Sequence, residues 1–175
     1  MKIKIINIKL VLVMGAAVAL ACNTPARKLH YTHQSSMSGT DFYKLAAAMS
    51  WKQRDSFAIV QLQAGNIPPF LLELQPVQAE YMDSASGKTH KAVYYVTPDY
   101  FSIGTSQDWA RIPLTPMAAK HIADTLQCFL PFRKMVDDIY QAAAVKLEPV
   151  PMFAFRDSTP TMWHHHLIIE GQRKG

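Results

Sequence analysis

The chain has 175 residues, with 18 basic and 13 acidic side chains, a formal net charge of +5 and a sequence pI of about 9.2. Three of the basic residues are lysines in the first 21 positions, and without them 15 basic residues stand against 13 acidic ones, a net charge of +2. The basic residues form no run longer than a pair, and a nearly neutral chain of this kind argues against nucleic acid as a partner.

Residues 1–21 are predicted to be a signal peptide for export. Lys2, Lys4 and Lys9 form a basic start, and an uncharged apolar run from Leu10 to Ala21 follows it. This run of about 12 residues is too short for a helix that must span a bilayer core of ~30 Å. We therefore expect an exported protein, located in the periplasm or anchored to the membrane of the cell envelope.

Two cleavage patterns meet at the end of the signal. Ala19-Leu20-Ala21 fits an ordinary signal peptidase, whereas Cys22 stands where bacterial lipoproteins carry their lipid. The lipoprotein pattern usually has leucine three places before the cysteine, and here that place holds Ala19. A cysteine at the first mature position nevertheless favours lipidation of Cys22, which would make the membrane a partner.

Residues 22–37 are predicted to be a flexible tether, and residues 38–175 a single α+β domain. The tether is polar and has no apolar period, so His30 and His33 within it are expected to be solvated. If Cys22 is lipidated, Cys128 is the only remaining thiol and no intramolecular disulfide can form.

The first part of the domain is predicted to be helical. Thr40 is the expected cap of a helix over residues 41–50. Ser50 and Gln53 form a capping box for a second helix, which Gly65 ends; its apolar side is expected to comprise Phe57, Ile59, Val60 and Leu62.

The pattern then changes to that of strands. VQAEY alternates apolar and polar residues, and KAVYYV is apolar on both faces, which predicts a central strand after the turn DSASG. FSIG and WARIPL follow, and the four segments predict an antiparallel meander of three or four strands.

The final third is predicted to be helical again. Thr115 and Pro116 begin a helix with a stripe of Ala118, Ile122 and Leu126. A second helix covers FRKMVDDIYQAAA, with Phe132, Met135, Val136, Ile139 and Tyr140 on one face. The last helix begins at Ser158 or Thr159 and carries three histidines to Gly171. Helices on both sides of a small sheet predict the α+β class.

The three adjacent histidines, 164 to 166, are the first candidate site. Successive residues of a helix point about 100° apart, so the three imidazoles cannot converge on one ion. Only Glu170, four residues after His166, lies on the same face. We predict no metal site and no cofactor, expect one or two histidines in the core, and keep His166 and Glu170 as catalytic candidates.

Cys128 is the third catalytic candidate. It precedes a helix, with His121 and Asp124 nearby in sequence, and these are the residue types of a thiol nucleophile. Its apolar neighbours favour a core position instead, because free cysteine is among the most buried residue types.

Aromatic side chains make cell-wall carbohydrate a candidate partner, because aromatic faces stack on sugar rings. The residues that could provide such a surface are Trp51, Tyr94, Tyr95, Tyr100 and Trp109.

The run from Ile112 to Met152, with its motif LPFRKMVDDIY, resembles a group of exported bacterial proteins of uncharacterised function. The similarity extends from about Ala64 through TPDY to HHHLIIEGQRKG, and Phe132 stands where the group has a small polar residue. Members of the group continue well beyond the position of Gly175. The resemblance implies export and one compact unit that corresponds to the N-terminal part of those proteins, which would make the domain truncated at its C-terminus.

Two functional hypotheses follow. The first is a lipid-anchored envelope protein that binds wall polysaccharide or acts as an accessory to its metabolism. The alternative is a hydrolase, or the N-terminal fragment of one, that uses the C-terminal histidines.

Overall fold

The computed structural model describes residues 27–32, 34 and 37–174. The predicted signal peptide, Cys22 and His33 lie outside the described residues. The α+β class is confirmed, with helices on both sides of small antiparallel sheets. The elements are β1 (Arg27–Lys28), α1 (Gly39–Ala46), α2 (Trp51–Gln63), a 3-10 turn (Pro69–Leu72), β2 (Glu73–Met82), β3 (Thr89–Val96), β4 (Ser102–Gly104), β5 (Trp109–Arg111), α3 (Pro116–Thr125), α4 (Arg133–Ala142) and α5 (Thr159–Lys174).

The helix boundaries follow local capping signals at most positions. The capping box of Ser50 and Gln53 is confirmed, and Gly65 ends α2 with a φ of 86°. The prediction of Thr40 as the cap of α1 was wrong, because Ser38 accepts a hydrogen bond from Asp41 N–H at 3.1 Å instead. Thr40 lies in the first turn, where its hydroxyl donates to Asp108 Oδ1 at 3.1 Å.

The four predicted strands are present, but the prediction that they form one meander was wrong, because they pair in two separate sheets. β2 and β3 form a long antiparallel hairpin, to which β1 adds at one end, and β4 and β5 form a short hairpin. The prediction of a central strand over KAVYYV was wrong, because β3 lies at the edge of its sheet. Its apolar faces have other partners: Tyr94 O–H donates to Met135 O at 3.2 Å, and Arg27 lies over the Tyr95 ring.

Part of the predicted tether lies against the domain. β1 pairs with the first residues of β2, and the Tyr31 hydroxyl donates to Gln63 O at 2.6 Å. Leu29 and Tyr31 pack against the core. They are two positions apart in sequence, the spacing that places side chains on one face of an extended chain. The expectation of a flexible tether was therefore wrong for residues 27–32, because alternate apolar side chains give this stretch surface to bury.

The core lies where α1, α2, α3 and the hairpin β4–β5 meet. Phe42 is fully buried and stacks on Phe57, with ring centroids 5.1 Å apart. Gly39 allows α1 to approach β5, since a Cβ atom there would lie 2.5 Å from Ala110 N. The stripe of α3 is confirmed, with its three apolar residues buried. Met162 and Trp163 of α5 pack against this core.

Helix α4 and the coil after it are packed much less closely. Met135 is buried beside the long hairpin, whereas Val136 and Tyr140 on the predicted apolar face are exposed. None of the helices in the described part of the chain is both long and apolar enough to cross a membrane.

Candidate functional site

Arg111, the last residue of β5, is the centre of a cluster of charged side chains. Its Nε and Nη2 donate to the two carboxylate oxygens of Asp99 at 2.8 and 2.5 Å, and its Nη1 donates to Glu170 Oε1 at 2.8 Å. The side chains of Arg111, Asp99 and Glu170 are only 11, 13 and 15% exposed. A bidentate arginine–carboxylate pair of this kind is among the stronger charged contacts. We call Asp99, Arg111, His166, Glu170 and Arg173 the Arg111 network.

Three members of the Arg111 network share one face of α5. His166, Glu170 and Arg173 follow at intervals of four and three residues, the spacing that places side chains above one another on a helix. Arg173 Nη1 lies 3.5 Å from Asp99 Oδ2, and its Nε lies 3.5 Å from Glu170 Oε1. This face of α5 is therefore joined by charge to β5 and to the loop that precedes β4.

Trp109 lies beneath the network. The guanidinium carbons of Arg111 and Arg173 lie 5.0 and 5.3 Å from the centre of the Trp109 ring. These are cation–π distances. The edge of the ring also packs against Phe70, at a centroid distance of 4.9 Å. The indole thus supports the two arginines.

His166 is 4% exposed and lies between two tryptophans. Its ring stacks on Trp163 at 5.3 Å and meets Trp109 edge-on at 5.5 Å. The backbone N–H of Arg111 donates to His166 Nδ1 at 3.4 Å, which requires a lone pair on Nδ1 and a neutral ring with its proton on Nε2.

The pKa of His166 supports the neutral form. Burial lowers this pKa, and the positive charge of Arg111 lowers it further, while Glu170, Asp99 and Asp108 act in the opposite direction. The pKa of Arg111 is raised: burial alone would lower it, but the hydrogen bonds and charges of Asp99 and Glu170 outweigh burial. Two carboxylates, two guanidinium groups and a neutral imidazole balance to zero net charge.

The structure brings together two of the three catalytic candidates. Arg111 contacts both His166 and Glu170. The expectation that one or two histidines are buried is confirmed at His166, whereas His164 is exposed. Sequence reasoning missed Asp99 and Arg111. No local signal marks either residue, because their contacts are distant in sequence. Asp99 contacts Arg111 across 12 residues and Arg173 across 74 residues.

Cys128 was expected in the core, and this was wrong. The residue is exposed and its Sγ donates to Leu126 O at 3.3 Å. Partial burial of this exposed residue still raises the pKa of its thiol, which disfavours the thiolate. The chain leaves the core just before it, where Gln127 adopts a φ of 54° after the end of α3.

The two residues considered as activators of Cys128, His121 and Asp124, have other partners. His121 Nε2 lies 3.0 Å from Gln63 Nε2, and both carboxylate oxygens of Asp124 accept from Lys120 Nζ at 2.5 Å. The described contacts therefore assemble no thiol nucleophile with a base.

Among the described residues, no three His, Cys, Asp or Glu side chains are grouped closely enough to hold a metal ion. Asp99, His166 and Glu170 all contact Arg111, whose positive charge lies between them. The absence of stoichiometric zinc stays a prediction that elemental analysis of the purified protein can check.

A second buried charged pair lies at the other end of α5. Arg54 and Asp55 are 4 and 6% exposed. The predicted apolar side of α2 did not include them, and the assignment of Val60 to that side was wrong, because Val60 is 59% exposed. Asp55 Oδ2 accepts from the Thr115 hydroxyl at 2.5 Å, and Arg54 Nη1 donates to Asp157 O at 3.4 Å. This pair fastens α2 to the starts of α3 and α5.

The five aromatic candidates for carbohydrate stacking do not form one surface. Tyr94 and Tyr95 point to opposite faces of β3, and Trp109 is occupied by two arginines. Trp51 and Tyr100 are 45 and 79% exposed and belong to different elements. Carbohydrate binding therefore stays a prediction, to be tested on the two exposed rings.

Comparison with protein-family models, with curated proteins and with solved structures found no match for this chain. The similarity to exported bacterial proteins therefore stays a prediction.

Proposed function

We propose that the protein is an exported, lipid-anchored protein of the cell envelope that binds wall polysaccharide or assists proteins that act on it. The export signal and the position of Cys22 support the location. The internal pairing of the Arg111 network disfavours catalysis by these residues, and this observation carries the preference for a binding protein over a hydrolase.

A catalytic centre needs polar groups that are free to meet a substrate. In the Arg111 network the guanidinium group of Arg111 uses its Nε, Nη1 and Nη2 on two carboxylates. The Nδ1 lone pair of His166 accepts from a backbone N–H, so this nitrogen is not available as a general base. The network is thus suited to holding α5 in place.

The anchor is tested by metabolic labelling with an acyl probe, in cells with and without globomycin. We expect label on the wild-type protein, none on Cys22→Ser, and accumulation of the precursor when globomycin is present. An unlabelled protein of mature size would contradict the anchor and indicate ordinary cleavage after Ala21.

Binding to polysaccharide is tested by sedimentation of the protein with insoluble peptidoglycan. Trp51→Ala and Tyr100→Ala should reduce the bound fraction, because these rings are exposed. Met117→Ala, which removes an apolar side chain that is 70% exposed but has no aromatic ring, is the control. Equal sedimentation of all variants, or no sedimentation of the wild type, would contradict this ligand.

A hydrolase is the second candidate, and one observation favours it: the structure brings His166 and Glu170 together at Arg111. The wild type and the variants His166→Gln and Glu170→Gln should be assayed on peptidoglycan and on small ester and glycoside substrates. Turnover that both variants abolish while they stay folded would place the hydrolase ahead of the binding protein.

A further inference from the structure

One flank of α4, beside the face that contacts the long hairpin, is apolar and exposed. Val136 and Tyr140 are four residues apart and share one face of the helix, and Phe132, which caps the start of α4, precedes Val136 by four residues. They are 62, 50 and 58% exposed, and Phe129 and Leu130 just before the helix are 67 and 42% exposed. We call these five residues the apolar ridge.

The hairpin covers only part of the apolar side of α4. Met135 is 7% exposed and its carbonyl accepts from the Tyr94 hydroxyl, so the helix is held on the hairpin by the neighbouring row of side chains. The opposite side of α4 has Lys134, Asp137 and Gln141. The helix therefore has a polar side, a side that contacts the hairpin and the apolar ridge.

The composition of the apolar ridge suits a lipid surface. Three of its five residues are aromatic, the side chains that favour the boundary between water and hydrocarbon. From Phe129 to Arg156 the chain has four basic and three acidic residues, so attraction to anionic lipid is weak and any insertion depends on the apolar side chains.

The short stretch of chain between Cys22 and β1 favours the bilayer as the surface that covers the apolar ridge. Five residue steps separate Cys22 from β1, which gives a reach of at most ~17 Å. β1 pairs with Glu73 and Leu74. Val77, three residues further along β2 and opposite Tyr94, is about 10 Å from that pair. A lipid on Cys22 would therefore hold Val77 within roughly 30 Å of the bilayer, and α4 contacts the neighbouring strand at Tyr94, opposite Val77.

We propose that the apolar ridge docks on the phospholipid bilayer to which Cys22 is anchored, so that the domain is held at two points and keeps one orientation. The inference rests on the proposed lipid anchor. A lipid on Cys22 attaches the chain at one point only, and an inserted apolar surface supplies the second contact that fixes the orientation of the domain.

Cys128 provides a probe beside the apolar ridge, because the residue is exposed and directly precedes Phe129. The processed protein, labelled at Cys128 with the environment-sensitive fluorophore NBD, is incorporated into phosphatidylcholine vesicles. We expect blue-shifted emission that doxyl-labelled lipids quench. The triple variant Phe132→Ser, Val136→Ser, Tyr140→Ser should lose the shift, and Val60→Ser, which changes an equally exposed valine on α2, should keep it.

An emission spectrum in vesicles that matches the spectrum in buffer would overturn the docking. The same holds if the shift persists without lipid and sedimentation shows a dimer, since the ridge would then be covered by a second copy of the chain.

Failure of the anchor is separable from failure of the ridge. The intact mass shows whether Cys22 carries lipid. The Cys22→Ser chain, freed of its signal, is then floated with the same vesicles, and the triple variant should bind at least about tenfold more weakly, as expected for loss of several buried apolar groups. Equal flotation of the two chains would overturn the ridge whatever the state of Cys22.

Discussion

Two regions of the molecule differ in how they bury apolar surface. The packed region, formed by α1, α2, α3, α5 and the hairpin β4–β5, encloses fully buried side chains such as Phe42, Leu62 and Ile103. The arm, formed by the hairpin β2–β3 and residues 127–156, buries only Val77 and Met135 among its large apolar residues. A two-stranded hairpin is marginal by itself, so the arm depends on its contacts with the rest of the domain.

Apolar residues spaced along one face of a helix are not buried unless another element packs against that face. α3 and α4 are both ten residues long and both have an apolar stripe. The stripe of α3 meets α2 and is buried, whereas much of the stripe of α4 extends beyond the hairpin. The apolar residues of the packed region therefore stabilise the fold, and those of the arm are free for another surface.

The sharpest test of the comparison is Phe42→Ala against Val136→Ala. Phe42 is 0% exposed and contacts two aromatic rings, so truncation should lower the free energy of unfolding by about 3–5 kcal/mol. Val136→Ala should change it by less than about 0.5 kcal/mol. Urea denaturation measures both values. Similar losses for the two variants would show that the arm is packed as closely as the core.

Arg111→Met should be nearly as damaging. It leaves the carboxylates of Asp99 and Glu170 buried without their main partner, which typically costs about 3–5 kcal/mol. The control is Arg173→Met, whose side chain is 40% exposed and which should cost less than about 1 kcal/mol. Thermal and urea unfolding should rank the two variants clearly, and equal effects would contradict the central place of Arg111.

Two glycines should respond in opposite directions. Gly39→Ala places a Cβ atom 2.5 Å from backbone atoms of β5, and we expect a loss of about 1–3 kcal/mol. Gly171→Ala lies within α5 with no atom within 4 Å of the new Cβ, and it should gain about 0.5–1 kcal/mol from helix propensity. Melting temperatures measure both, and a stabilising Gly39→Ala would show that α1 is not tightly packed on β5.

The smallest effect is a pH dependence from His166. Its pKa in the folded protein lies below the value of 6.5 for a free imidazole, so as the pH falls the unfolded chain binds the proton first. The stability that His166 contributes is present above about pH 6.5 and is lost as the pH falls towards the folded pKa. His166→Gln should flatten this part of the curve.

The wild type and His166→Gln should be compared by urea denaturation between pH 4.5 and pH 7.5, with His164→Gln as the exposed control. Parallel curves for wild type and His166→Gln would contradict the neutral, buried imidazole.

Local signals in the sequence were enough to predict the order of the elements and several of their ends. The capping box at Ser50, the helix end at Gly65 and the start at Thr115-Pro116 need only neighbouring residues, and all are confirmed. The α+β class follows from the change of period along the chain, which is also a local property.

Contacts between distant residues decided the rest. Helix geometry was enough to predict that the three adjacent histidines diverge and that His166 and Glu170 share one face. Only the tertiary structure placed Arg111 between these two residues, across 55 and 59 residues. It also left β3 at a sheet edge and Cys128 in solvent. The physical reason is that capping and periodicity act within a few residues, whereas burial and ion pairing depend on which surfaces the folded chain brings together.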